Sequence, residues 1–211
     1  MRKMHWRAGI LGVGLLVGAA AQATAQVVIE PDNYPEGTEL TSVVPGVRLG
    51  TAGADNQIFD VGSDGEPDFP ITAVTPGPFS TAPTGDKVFA HVGIDFFSNA
   101  RRFRADFGGV TDSVQILFAG DSTITEYTGR LEAYDVNDML IGSYETLPLL
   151  RGETELMSVD ATGIAWMVAW TSSGEFGILD AFGAGEIRPV PEPTWAAGAT
   201  AIAMLLCLRR R

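Results

Sequence analysis

The chain has 211 residues, 14 basic and 26 acidic, and a formal net charge of −12 at pH 7. Six basic residues sit at the two ends and every acid lies between Gln26 and Pro193, so the middle of the chain sets eight positive against 26 negative charges, a net −18. Such a segment repels nucleic acid and anionic membrane, and with Cys207 as the only cysteine it can close no internal disulfide.

At the start, Arg2, Lys3 and Arg7 precede an uncharged apolar run over residues 8–21, and Ala23-Thr24-Ala25 offers a small-residue cleavage site. That is the three-part layout of a secretory signal peptide. The run is short for a membrane span. Export is therefore expected, with Gln26 as the first mature residue. The 26–189 segment suits one domain with a sizeable core. Export without cysteine leaves packing or a metal to stabilise it.

Glycine and proline punctuate this segment at short intervals, and no amphipathic helical stretch stands out. Val27-Val28-Ile29 reads as a first strand, followed by a turn-rich loop over 31–37. Residues 43–49 form a second strand broken by Pro45-Gly46, and 50–86 read as long loops with short strands. After Lys87 the pattern sharpens. Residues 88–94 are apolar, and in Arg102-Phe103-Arg104-Ala105-Asp106-Phe107 charged and apolar side chains alternate with period two. Val114, Ile116 and Phe118 continue that alternation. Residues 130–134 and 139–144 flank Asp135-Val136-Asn137-Asp138, a hairpin in which Asn137 and Asp138 can take positive φ. Ile164-Ala165-Trp166-Met167-Val168-Ala169-Trp170 is apolar on both faces and reads as a central strand, with Trp166 and Trp170 on the face of Ile164 and Val168. Residues 176–182 and 185–190 close the domain. Strands at this spacing without intervening helices predict an all-β sandwich or jelly roll.

Catalytic groups are few. The histidines are His5, within the signal, and His91, on a predicted strand. That excludes a Cys–His pair and a multi-histidine metal site in one chain, and no Gly-x-Ser-x-Gly elbow serves a serine triad. His91 reads as a structural residue. Among 26 acids, a carboxylate pair for glycoside hydrolysis is a matter of three-dimensional spacing. Trp166 and Trp170 suit either the core or sugar stacking. Arg101, Arg102 and Arg104 suit either carboxylate partners or an anionic glycan. Asp60-Val61-Gly62-Ser63-Asp64-Gly65 matches a calcium loop at three positions. It has Gly62 at position three and Ile71 at position twelve, so the helix-loop-helix reading fails.

The chain ends in Val190-Pro191-Glu192-Pro193, an apolar run from Trp195 to Leu208, and Arg209-Arg210-Arg211. Pro191 and Pro193 stop the domain, and Thr194 can cap a helix. Fourteen helical residues span about 21 Å, short of the ~30 Å hydrocarbon core. Trp195 at one interface and snorkelling arginines at the other cover the deficit, and the arginines place this end in the cytoplasm.

Motif, apolar helix and arginine cluster together resemble the PEP-CTERM sorting signal of exported Gram-negative proteins. The resemblance implies transient anchoring in the inner membrane, recognition by an exosortase and removal of the helix near Pro191, Glu192 and Pro193. It implies delivery to the cell surface or extracellular matrix. Asp86-Lys87-Val88-Phe89, Phe96-Phe97-Ser98, the Ala133-Tyr134-Asp135 hairpin arm and Phe176-Gly177-Ile178-Leu179-Asp180 resemble the ectodomains of such proteins, which are similar to galactose-binding-like jelly rolls. Ala181 and Asn137-Asp138 depart from their pattern. That likeness implies an acidic residue of the first strand beside one of the closing strand, here Glu30 and Asp180, with Asp32 as a competitor for Glu30, around a structural calcium. The alternative for Asp180 is a turn cap or an arginine partner. The expected function is a non-catalytic surface protein that binds or structures exopolysaccharide. A purely structural envelope protein and a secreted glycan hydrolase are the alternatives.

Overall fold

The structure is a computed structural model describing residues 26–59, 69–78, 80–174 and 176–190. The expected signal segment with Ala23 and Ala25, the calcium-like loop from Asp60, and the tail from Pro191 to Arg211 lie outside the described residues.

The described residues fold as an all-β, sandwich-like antiparallel structure, as expected. Nine strands appear in chain order: β1 (Val27–Ile29), β2 (Val47–Ala52), β3 (Ile71–Val74), β4 (Val88–His91), β5 (Arg102–Gly120), β6 (Gly129–Tyr134), β7 (Leu140–Glu145), β8 (Thr154–Thr171) and β9 (Gly177–Ala184). Seven form one sheet in the order β1-β9-β5-β8-β6-β7, with β2 also on β5, while β3 and β4 pair as a separate ribbon.

The two long strands β5 and β8 make the layers. Their first pairing zone runs from Phe103↔Ala169 to Asp106↔Trp166 and their second from Ser113↔Asp160 to Ala119↔Thr154, with register shifts between. In the first zone β5 also pairs with β2 and β8 with β6; in the second β5 pairs with β9. Core residues on β5 change parity across the shift, from Phe103 and Ala105 to Val114, Ile116 and Phe118, yet all join one buried cluster. Period-two alternation allows that only if the strand turns over at the irregularity. The pair therefore folds back on itself, and both halves face a common core that includes Leu49, Leu131, Met157, Met167, Leu179 and Phe182. Phe103 packs against Phe89, Phe97 and Phe182 at its centre.

The central placement of residues 164–170 is borne out, with β8 between β5 and β6. Three expectations change. Ile164 belongs to the main core while Trp166, Val168 and Trp170 cluster on the opposite face, because the register shift lies beside Ile164. In the β6–β7 turn only Asp138 takes positive φ (60°), and Asp135 holds the turn by accepting hydrogen bonds from the Asn137 and Met139 amides. Residues 185–190 form no strand; they are tied to β5 by the Gly185 amide on the Ser113 carbonyl and the bridge Val110↔Arg188.

At the bend of β5 and β8 lie residues 107–112, residues 161–163 and the β6–β7 turn. Gln26 and Arg188 to Val190 lie there too, since Val27 pairs with Ala184 and Arg188 with Val110. The opposite end carries the 121–128 and 146–153 segments, joined through Tyr127↔Leu149.

Candidate functional site

Two constellations combine residues that the sequence singles out. The first gathers around Asp180. Gln115 pairs with Gly183 but Leu117 with Asp180, so Ile116 faces two residues, Ala181 and Phe182. Ala181 sits at φ 45°, a left-handed conformation costly for a residue with a Cβ. This bulge puts Leu179 and Phe182 on the main core and leaves Asp180 with Ile178 on the other face. Plain alternation along 176–182 predicts one face for Phe176, Ile178, Asp180 and Phe182; the bulge keeps Asp180 with Ile178 and parts it from Phe182, and Phe176 precedes the strand and packs on Phe96 and Tyr127.

Asp180 is fully buried. Its Oδ1 accepts from the Ala181 amide (2.8 Å), and its Oδ2 from the Thr84 amide (3.0 Å) and hydroxyl (2.7 Å). The same Thr84 Oγ1 lies 3.0 Å from Glu30 Oε1. The structure thus brings Glu30 and Asp180 together, with Thr84 as a residue sequence reasoning missed. One hydroxyl carries one proton and cannot donate to both acids. Burial, and then the Asp180 charge, push the Glu30 carboxyl up to about 7, and burial raises Asp180 as well. The arrangement suits one proton held between the two acids, on the Glu30 side. Asp32 lies outside the pair: its Oδ1 accepts from the Asp86 (2.7 Å) and Lys87 (2.9 Å) amides.

This set is all oxygen, as a hard cation requires. It offers two carboxylates and a hydroxyl, and among the described residues no group of three or more His, Cys, Asp or Glu is placed to hold a metal. Calcium is therefore matched in donor type and only in part in donor number. The turn-cap alternative is realised in the Thr84 amide bond; no arginine pairs with Asp180 among the described ion pairs.

The second constellation covers the outward face of β5, β8 and β6. The Arg104 guanidinium lies 4.1 Å over the Trp166 ring, whose other neighbour is the Tyr134 ring, parallel at 3.9 Å. Arg102 lies 3.9 Å over Trp170, and Arg130 5.9 Å from it. Cations over indole faces are stabilising by about 0.5–2 kcal/mol each. Polar groups tie the rows together. Arg130 and Tyr134 both donate to Glu132, Arg104 pairs with Asp106, Arg102 donates to Asn56 Oδ1, and Trp166 Nε1 donates to Asp138 Oδ1. Burial and the bond to Glu132 push the Tyr134 phenol up to about 12. Trp166 and Trp170 are almost completely covered. Of the two readings of the arginines, a carboxylate partner is what Arg104 has, in Asp106, whereas Arg102 is held by the Trp170 ring and the side-chain oxygens of Asn56 and Asn99. Sequence reasoning missed Glu132, Tyr134 and Asn56, although Arg130, Glu132 and Tyr134 alternate on β6 as Arg102, Arg104 and Asp106 do on β5.

His91 is buried, with Nε2 3.2 Å from the Phe96 carbonyl, and its ring meets Phe97 edge-on; Nδ1 has no protein partner. Burial, and then Arg101, hold it below its ordinary pKa. Val190, where the expected sorting motif begins, is half-exposed.

No family model and no curated protein matches the chain. Among solved structures, it is similar to the K2 cleaved adhesin domain of Lys-gingipain, with 13% identity over 76% of this chain and 97% of that one and a TM-score of 0.44. It is also similar to the K1 cleaved adhesin domain of Lys-gingipain from Porphyromonas gingivalis W83 (11% identity, 78% and 99% covered, TM-score 0.30). A third likeness is to the enzymatically active domain of bacteriophage CBA120 tailspike protein 4 (13% identity, 68% and 20% covered, TM-score 0.34). Likenesses this loose assign no activity.

Proposed function

We propose that this chain is the precursor of an exported, non-catalytic surface or matrix protein with a jelly-roll-like domain, sorted by an exosortase through its C-terminal tail. The tail carries this reading: Val190-Pro191-Glu192-Pro193, the apolar run and three arginines stand in order at the chain's end. Two observations support it: among the described residues the last backbone pairing is at Arg188, two residues before Val190, and Val190 is accessible.

The domain's proposed role is to bind or structure exopolysaccharide. Its tryptophans do not form a stacking platform, since Arg104 and Tyr134 sandwich Trp166 and Arg102 caps Trp170. Saccharide contact would rest on polar side chains and loops, and the buried ladder equally favours the second reading, a structural envelope protein without a ligand. A hydrolase built on Glu30 and Asp180 is disfavoured, because Asp180 is fully buried with Thr84 seated against both acids, whereas glycosidase carboxylates flank an accessible sugar. In the calcium form of this proposal, a cation takes the place of the shared proton between Glu30 and Asp180. Passage of the 26–190 domain over immobilised exopolysaccharide from the producing cell separates the two readings. Retention that competes with free polysaccharide supports binding; unretarded flow leaves the structural role.

A further inference from the structure

The end of the domain from which the tail departs carries a cluster of exposed apolar side chains. A groove of about 410 Å³ is lined by Val110, Val136, Gly163, Pro189 and Val190, with Asp135 and Arg188 at its polar side. Val136 is 51% exposed and Val190 47%; in the same β6–β7 turn Met139 is 63% and Leu140 50% exposed. Isolated exposed apolar residues are ordinary, but a group around one groove marks a contact surface.

Chain length specifies the contact. Five backbone steps separate Val190 from Trp195, where the apolar run begins. Fully extended they reach about 17 Å, and the headgroup layer of a bilayer is about 5–7 Å deep on each side. With the apolar run in the membrane, this end of the domain is tethered within about 10–12 Å of the headgroup surface. Val136 and Val190 line one groove, so the β6–β7 turn is held beside the point of entry.

We infer that the β6–β7 turn, through Val136 and Met139, rests on the bilayer interface while the tail is inserted, as a second contact that orients the domain. This inference rests on the reading of the tail as a membrane helix. The charges specify the lipid. Asp135 and Asp138 stand in the turn, and Arg188 is already paired with Asp112. Carboxylates favour the ammonium groups of zwitterionic headgroups and are repelled by anionic ones. The surface is therefore suited to phosphatidylethanolamine or phosphatidylcholine.

The test uses the chain from Gln26 to Arg211 in a Cys207→Ser background, with an environment-sensitive dye on Val136→Cys. Ile124→Cys, 90% exposed in the 121–128 segment at the opposite end, is the control. Each protein is reconstituted with phosphatidylcholine vesicles and floated. The expected result is co-flotation of both, with a blue shift and quenching by headgroup-proximal spin-labelled lipid only for the dye at position 136. A chain truncated after Val190 should neither float nor show the shift. Co-flotation with equal, water-like emission from both positions overturns the inference and leaves the membrane tail standing. A chain from Gln26 to Arg211 that stays in the lipid-free fraction overturns both.

Discussion

Replacing Glu30 by glutamine changes how the domain's stability depends on pH. In the folded domain burial and Asp180 raise the Glu30 carboxyl from 4.5 to about 7. The folded state therefore keeps a proton that the unfolded chain releases. Its stabilisation is complete below pH 4.5 and is lost as pH climbs through about 7. The whole displacement corresponds to about 3 kcal/mol at 1.36 kcal/mol per pH unit. Glu30 retains partial solvent access, and screening reduces the expected loss to about 1–2 kcal/mol between pH 5 and 8. For a domain of this size that is about 2–8 °C in Tm. His91 works in the opposite sense: held neutral by burial, it adds stability above its unfolded value of 6.5, which is lost as pH falls. The readout is accordingly the difference between wild type and Glu30→Gln, measured by scanning calorimetry in chelator. Glutamine should flatten the decline between pH 5 and 8 and raise Tm at pH 8. Millimolar calcium should raise the wild-type Tm at pH 8, where the shared proton is gone, and fail to do so in Asp180→Asn. A decline identical in Glu30→Gln would place the proton elsewhere and refute the paired-acid site.

Other consequences follow from the packing. Trp166→Ala removes a buried ring held between Arg104 and Tyr134 and should cost about 3–5 kcal/mol in urea unfolding; a cost below about 1 kcal/mol would show that the ladder is not formed. Met167→Asp places a carboxylate in the main core and should prevent folding or cost several kcal/mol. Val168→Asp should cost less, since Val168 lies between Trp166 and Trp170, which Arg104 and Arg102 cover. Gly142→Val drives a Cβ into the Val159 side chain, and should loosen β7 from β8 at about 1–3 kcal/mol, visible as faster amide exchange in residues 140–145.

Much of this fold is legible in the chain because period two survives in β5 and β6 and because the C-terminal half of β8 is an unbroken apolar run. Residues 102–107 and 113–119 each read as strands. That they form one continuous strand does not show, because Phe107-Gly108-Gly109-Val110 breaks the alternation at the bend. The N-terminal half of β8, residues 154–163, escapes for a related reason. Its outward positions are polar and Leu156 is exposed, so hydrophobicity alone gives a weak pattern. At the site, the acidic pair is legible only through a resemblance, and the bulge at Ala181 that turns Asp180 away from Phe182 leaves no mark in composition. Thr84 lies in a segment that reads as loop, and only the pairing of distant strands brings it to both acids. The tryptophans illustrate the opposite case. Their apolar neighbours predict burial, and what covers them is a row of arginines that also reads, in one dimension, as a surface patch.

Mass spectrometry of the C-terminus of the surface-associated protein tests the central claim most directly. The expected result is a mature chain that ends close to Pro191-Glu192-Pro193. A surface-associated protein that retains Cys207 and Arg211 would contradict it.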